Sequence, residues 1–208
     1  VYTLLEKSPQ PLGTDRLKEL KDSVRERIEK RHPLYIYQSL QSREPDIYSG
    51  YSRFSFDKYY ATLYRIYNKC EGDGIYKTKL NKLLFYSDFL AFSRLGKSIT
   101  GSCYTHELYG PCPLDFQSLL GVMSDHGFIS IELKTYKNND AEFVKVNEEK
   151  ARDILDATEK KIIDRVCNKF AKHTSKDLTE ISHKEKAYML TDLKERISYE
   201  YAKYLRIK

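Results

Sequence analysis

TKLNKLLFYSDFLAFSRL, residues Thr78–Leu95, is the stretch that decides the fold. Leu80, Leu83, Leu84, Phe85, Phe89, Leu90, Phe92 and Leu95 leave little of a helical circumference polar, and a helix that is apolar nearly all round is buried. Gly96 follows it, a residue suited to a left-handed cap. The reading predicts a central helix on which the other elements pack. Asp88 interrupts the apolar run. A carboxylate there must be paired or lie on an exposed stripe, and an exposed or hydrogen-bonded structural role outweighs a catalytic one.

Upstream, Phe56, Tyr60, Leu63, Ile66 or Tyr67 and Cys70 face inward on a helix that Ser55 or Asp57 caps and Gly72-Asp73-Gly74 breaks. Leu17, Leu20, Val24 and Ile28 predict an earlier helix over Thr14–Arg31, ended by His32-Pro33. A Ser-, Gly- and Tyr-rich stretch after Pro33 reads as a helical turn and a linker, with a boundary near Gly50. Residues 1–50 are therefore expected to be an N-terminal helical appendage or the remnant of a longer N-terminal region, and 51–208 the main domain. The first residue is Val1, which reads as a processed chain or a fragment.

Downstream, Tyr104–Tyr109 is expected to be short and extended, Gly110-Pro111 to turn the chain, and Pro113 to open a helix through Leu119, Leu120 and Met123 to Gly127. Phe128–Tyr136 alternates apolar Ile129, Ile131 and Leu133 with polar residues. Asn138-Asn139-Asp140 supplies a turn, and Glu142–Val146 returns as the second strand of a β-hairpin. Further helices are expected from Asn147 (using Ala151, Ile154 and Leu155), from Thr158 to Phe170, after Thr174 with Asp177 in a capping box, and over Ser198–Leu205. The fold class is α+β: a mostly helical single domain around a buried central helix, with a small antiparallel sheet made of the hairpin and, as a candidate third strand, Tyr104–Leu108.

The 208 residues carry 36 Lys+Arg against 30 Asp+Glu, a formal charge of +6. The excess gathers in residues 151–208, with 14 basic against 10 acidic, yet the signs interleave there, as on a solvated helical face. That disfavours a DNA-binding surface on this part of the chain. No apolar run is long enough for a membrane span and no signal peptide is visible, so no membrane partner and a cytoplasmic address are expected. The four scattered cysteines set no disulfide framework.

There is no Gly-rich phosphate loop, HExxH or G-x-S-x-G motif. Cys103, His106, Cys112 and His126 form a metal-like cluster by composition, but lack the CxxC knuckle of a zinc ribbon. His183 reads as a helix C-terminal cap. No nucleophile–base pair assembles, so neither catalysis nor a cofactor nor a metal is expected.

Several of these pieces recur in one known order. Lys79–Phe92, then Gly96-Lys-Ser-Ile-Thr-Gly101, then Tyr104 through Tyr109-Gly110-Pro111, then Leu119-Leu120 resemble the signature of the Panacea antitoxin domain, also called SocA-like. So do Thr174–His183, which ends in Ser182-His183, and an aromatic at Tyr188 where that family usually shows Trp. Gly50-Tyr51 with Phe56-Asp57 resembles the family's lead into its first core helix. The resemblance covers roughly Tyr51 to Lys208. It implies an antitoxin of a two-gene toxin–antitoxin system that neutralises a cognate protein toxin by direct binding, and it leaves room for a homo-oligomer. The rival is a DNA-binding autorepressor of the operon, whose nucleic-acid contacts would need an N-terminal domain not visible here. A rigid corner at Gly110-Pro111 and the interface chemistry of Tyr make Tyr104, His106, Tyr109, Gly110, Pro111, His183 and Tyr188 the expected partner-binding residues.

Overall fold

A computed structural model describes residues 33–70, 72–136 and 139–207, together with Arg16, Lys18 and Glu19. The helix expected over Thr14–Arg31 falls outside the described residues, apart from those three, which are helical.

Helix α1 (Pro33–Gln41) is followed by α2 (Phe56–Lys69), which Ser55 caps by accepting from the Lys58 N–H. The two-residue strand β1 (Ile75–Tyr76) leads into α3 (Lys77–Leu95), the expected central helix. Leu80 through Ala91 are all buried, and Gly96 ends the helix in the left-handed region at φ 71°. β2 (Tyr104–Glu107) and β3 (Gly110–Pro113) form a tight hairpin, and α4 (Phe116–Asp125) follows. β4 (Ile129–Tyr136) and β5 (Asn139–Val146) make the longer hairpin. Then come α5 (Ala157–Phe170), α6 (Ser175–His183), the single turn α7 (Lys186–Met189), β6 (Arg196–Ile197) and a 3-10 turn at Tyr199–Tyr204.

The architecture is α+β with small antiparallel sheets. The third strand beside the β4–β5 hairpin is β1, in the order β1-β5-β4, whereas β2 stands in the middle of a second sheet, β3-β2-β6. Tyr104–Glu107 is thus a strand, as expected, but in a different sheet from the one expected. The chain beyond Asn147 also differs. Asn147 donates to Phe128 O and so extends the β ladder, and only a 3-10 turn at Glu148–Lys150 follows. The next helix waits for Asp156, which accepts from the Thr158 and Glu159 N–H groups while Glu159 reaches back to the Asp156 N–H. This capping box overrides the apolar spacing of Ala151, Ile154 and Leu155.

The core runs through α2, α3 and α5. Leu63, Ile66, Leu83, Leu84, Ile163 and Val166 are fully enclosed, and Ile36, Leu40, Ile197 and Tyr199 belong to the same cluster. Tyr199 stacks on Phe89 with centroids 4.2 Å apart, and its hydroxyl donates to Ser102 O. Glu185, also buried, accepts from the Tyr86 hydroxyl and the Arg206 N–H, which ties the last residues to α3.

Candidate functional site

Asp88 has 0 % exposure. Its Oδ1 accepts from the Ile99 and Thr100 N–H groups at 2.9 Å, and its Oδ2 from the Thr100 hydroxyl at 2.6 Å and the Tyr104 hydroxyl at 2.9 Å. Burial pushes this carboxyl up from its ordinary range, and the four donors pull it back. One carboxylate therefore fixes the loop after α3 and the start of β2 to the central helix. Tyr104 is a framework residue, wholly buried against Phe85 and Phe89.

The β2–β3 hairpin turns at Leu108-Tyr109, not at Gly110-Pro111, because Glu107 already pairs with Gly110. Nor does Pro113 open a helix; it lies opposite Tyr104 in β3. The Leu114 N–H donates to Cys103 O, which sets the phase of the ladder and leaves positions 111 and 113 as the non-bonded ones. Proline lacks an N–H, so these two places on an edge strand suit it. Gly110 has a different constraint: its φ is +95°, and a Cβ there would stand 2.5 Å from Ser182 Oγ and 2.7 Å from Lys82 Cε. Lys82, 1 % exposed, donates from Nζ to Pro111 O at 3.1 Å, and burial lowers its pKa to about 8. The hairpin is thereby clamped between α3 and α6.

The second half of the site comes from residues seventy or more positions away. The His106 ring lies 3.7 Å from that of Tyr188, which stacks in turn on His183 at 4.3 Å and 8°. His106 Nδ1 donates to Thr191 O at 2.6 Å, since a carbonyl can only accept. The Tyr188 hydroxyl donates to Glu107 O, the Thr179 hydroxyl to Tyr109 O, and the Lys194 N–H to His106 O. α6 carries His183 at its last turn, and the expected capping box, Thr174 with Asp177, starts that helix. Burial first, then the proximity of Lys82 and His106, holds the His183 imidazole below its ordinary range.

Six of the seven expected residues thus come together, and Tyr104 packs instead in the core against Phe85, Phe89 and Tyr199. Gly110 and Pro111 are buried, the His106–Tyr188–His183 stack is half-buried, and Tyr109 projects at 72 % exposure. Around the stack stand exposed Leu108, Met189, Leu190 and Leu193, which the sequence reading passed over. Their spacing would have misled: Met189, Leu190 and Leu193 fall on one face of a helix, but the helix stops at Met189 and leaves them exposed.

Cys103, His106, Cys112 and His126 do not assemble. Cys103 is buried, the Cys112 thiol receives the Asn81 amide, and His126 sits exposed at the end of α4. Among the described residues no three of His, Cys, Asp and Glu are placed to hold a metal ion, and no helix is long and apolar enough to cross a membrane.

A rigid ring stack carried on a clamped hairpin and bordered by exposed aliphatic side chains has the chemistry of a surface for another protein. The chain belongs to the antitoxin SocA-like family, Panacea domain, whose sequence profile matches residues 80–188, from the first buried leucine of α3 to the middle ring of the stack. No curated protein and no solved structure matches the chain. Family membership gives it an antitoxin role in general terms and suggests a non-catalytic, regulatory one.

Proposed function

We propose that the chain neutralises a cognate protein toxin by binding it directly, without catalysing a reaction, and that the contact runs through the hairpin tip Leu108-Tyr109 and the Tyr188–Leu193 segment. The observation that carries this is the group of large apolar side chains, Leu108, Tyr109, Met189, Leu190 and Leu193, left in solvent around a stack whose rings are already fixed. Isolated exposed apolar residues are ordinary; a cluster on one rigid face supports an interaction site. Burying such side chains is worth roughly 25 cal/mol per Å² of apolar surface, and a framework ordered beforehand has little entropy left to lose. In this reading His106, His183 and Tyr188 form the floor of the contact, while Gly110 and Pro111 shape it from below. Residues 51–208 are the unit that does the work.

The test begins with the gene beside the one encoding this chain. A small neighbouring reading frame should arrest growth when expressed alone, be silent when co-expressed with this chain, and yield a protein that co-purifies with it. A toxin rescued only through loss of its transcript, with no complex formed, would place neutralisation outside direct binding.

A further inference from the structure

The sheet β1-β5-β4 ends on an open side. Among the described residues no strand pairs with β4 except β5. The Asn147 N–H bonds to Phe128 O, and with Ile129 opposite Val146 this fixes the alternation of the ladder. Ser130, Glu132 and Lys134 exchange their hydrogen bonds with β5, whereas Ile131, Leu133 and Thr135 turn their N–H and C=O groups away from it. No described group receives those outward polar groups. Leu133, at 74 % exposure, stands in the middle of this edge.

We propose that β4 pairs antiparallel with β4 of a second copy of the chain, about a two-fold axis at Leu133, joining the two three-stranded sheets into one. The register follows from the edge itself. An antiparallel pair centred on Leu133 sets Leu133 opposite Leu133 of the other copy and Ile131 opposite Thr135, so that the outward N–H and C=O groups meet in hydrogen-bonded pairs. The same register sets Glu132 opposite Lys134 of the other copy, twice by symmetry, at the non-bonded positions where cross-strand side chains approach most closely. Both are on the surface: Glu132 now receives Lys145, and Lys134 lies 3.6 Å from Asp73. Opposite charges at the two positions flanking the axis make the edge self-complementary, which is what a two-fold contact requires. The pairing uses none of the residues of the toxin-binding face and is independent of that reading.

Sedimentation velocity of the intact chain across a concentration series tests it. The chain should show a monomer–dimer equilibrium. Glu132→Lys, which sets like charges opposite each other twice, should weaken the dimer at least about tenfold. The swapped variant Glu132→Lys/Lys134→Glu should restore it. Leu133→Cys should form a disulfide-linked dimer on oxidation, because directly opposed Cα atoms of a hydrogen-bonded pair stand about 5.5 Å apart. Thr135→Cys should not, since its two copies would be about 13 Å apart. Glu132, Leu133 and Thr135 are exposed and Lys134 is half-buried over the Phe143 ring, so the melting temperature of each variant is measured alongside and only folded variants are compared. A chain that stays monomeric throughout the series, a dimer indifferent to Glu132→Lys, or equal cross-linking at 133 and 135 would overturn the proposal.

Discussion

Lys82 keeps an ammonium in the interior because the Pro111 carbonyl needs a donor there, and the clamp carries a pH signature. Its pKa is about 8 in the folded chain against 10.5 ordinarily, so between those values the unfolded chain binds more protons and stability from this group rises with pH. From pH 8 to 9.5 the gain should be about 1–2 kcal/mol, and the difference between the chain and its Lys82→Met variant isolates it from the tyrosines and cysteines that titrate nearby. Denaturant titrations at the two pH values measure it; parallel curves for the two proteins would mean the amine is hydrated. Gly110→Ala meets both a left-handed φ and the crowd of Ser182 and Lys82, and should destabilise by roughly 2–4 kcal/mol. Asp88→Ala leaves buried donors of Ile99, Thr100 and Tyr104 unpaired and should cost about 3 kcal/mol or more. Asp88 was legible as a structural carboxylate in an apolar run, but not as buried and paired rather than exposed, and its partners were not legible. They lie in a loop and a strand whose approach to α3 has no periodicity to announce it.

At the scale of elements, strong patterns were readable and short ones were not. The α3 stretch, the β4–β5 hairpin and the Thr174/Asp177 box could be read because an all-round apolar helix, a period-2 alternation and a reciprocal cap each have few alternative solutions. Strands β1 and β6 have two residues each and carry no alternation, so the sheets they complete were invisible. The β2–β3 turn lies two residues before the expected corner for a related reason: proline signals both a corner and an edge strand, and only the pairing decides. The box also has a consequence. Thr174→Ala removes the acceptor for the Asp177 N–H and should lower stability by about 1 kcal/mol. Because α6 holds His183 in the stack, the variant should also loosen the rings, seen as broader His183 and Tyr188 resonances. Sharp, unshifted signals would show that β2 and Thr191 suffice to hold them.

For the molecule as a whole, the buried polar groups serve the fold, while the apolar side chains left outside are the ones the proposed reading assigns to a partner. Asp88, Lys82 and Glu185 are interior titratable groups with hydrogen bonds to the backbone, each tying a distant segment to α3. The family, matched over residues 80–188, takes in the whole ring stack but not Met189, Leu190 and Leu193 just beyond it. Leu108 and Tyr109 lie inside the matched region with the stack, so the border of the proposed contact is only partly outside it. The direct measurement is growth of cells that express the cognate toxin with either the chain or its Tyr109→Ala/Leu190→Asp variant, both sites exposed and remote from the core. The account predicts that the variant keeps its abundance and melting temperature, loses the complex and fails to rescue growth. Full rescue by that variant at normal abundance, with the complex intact, would contradict it.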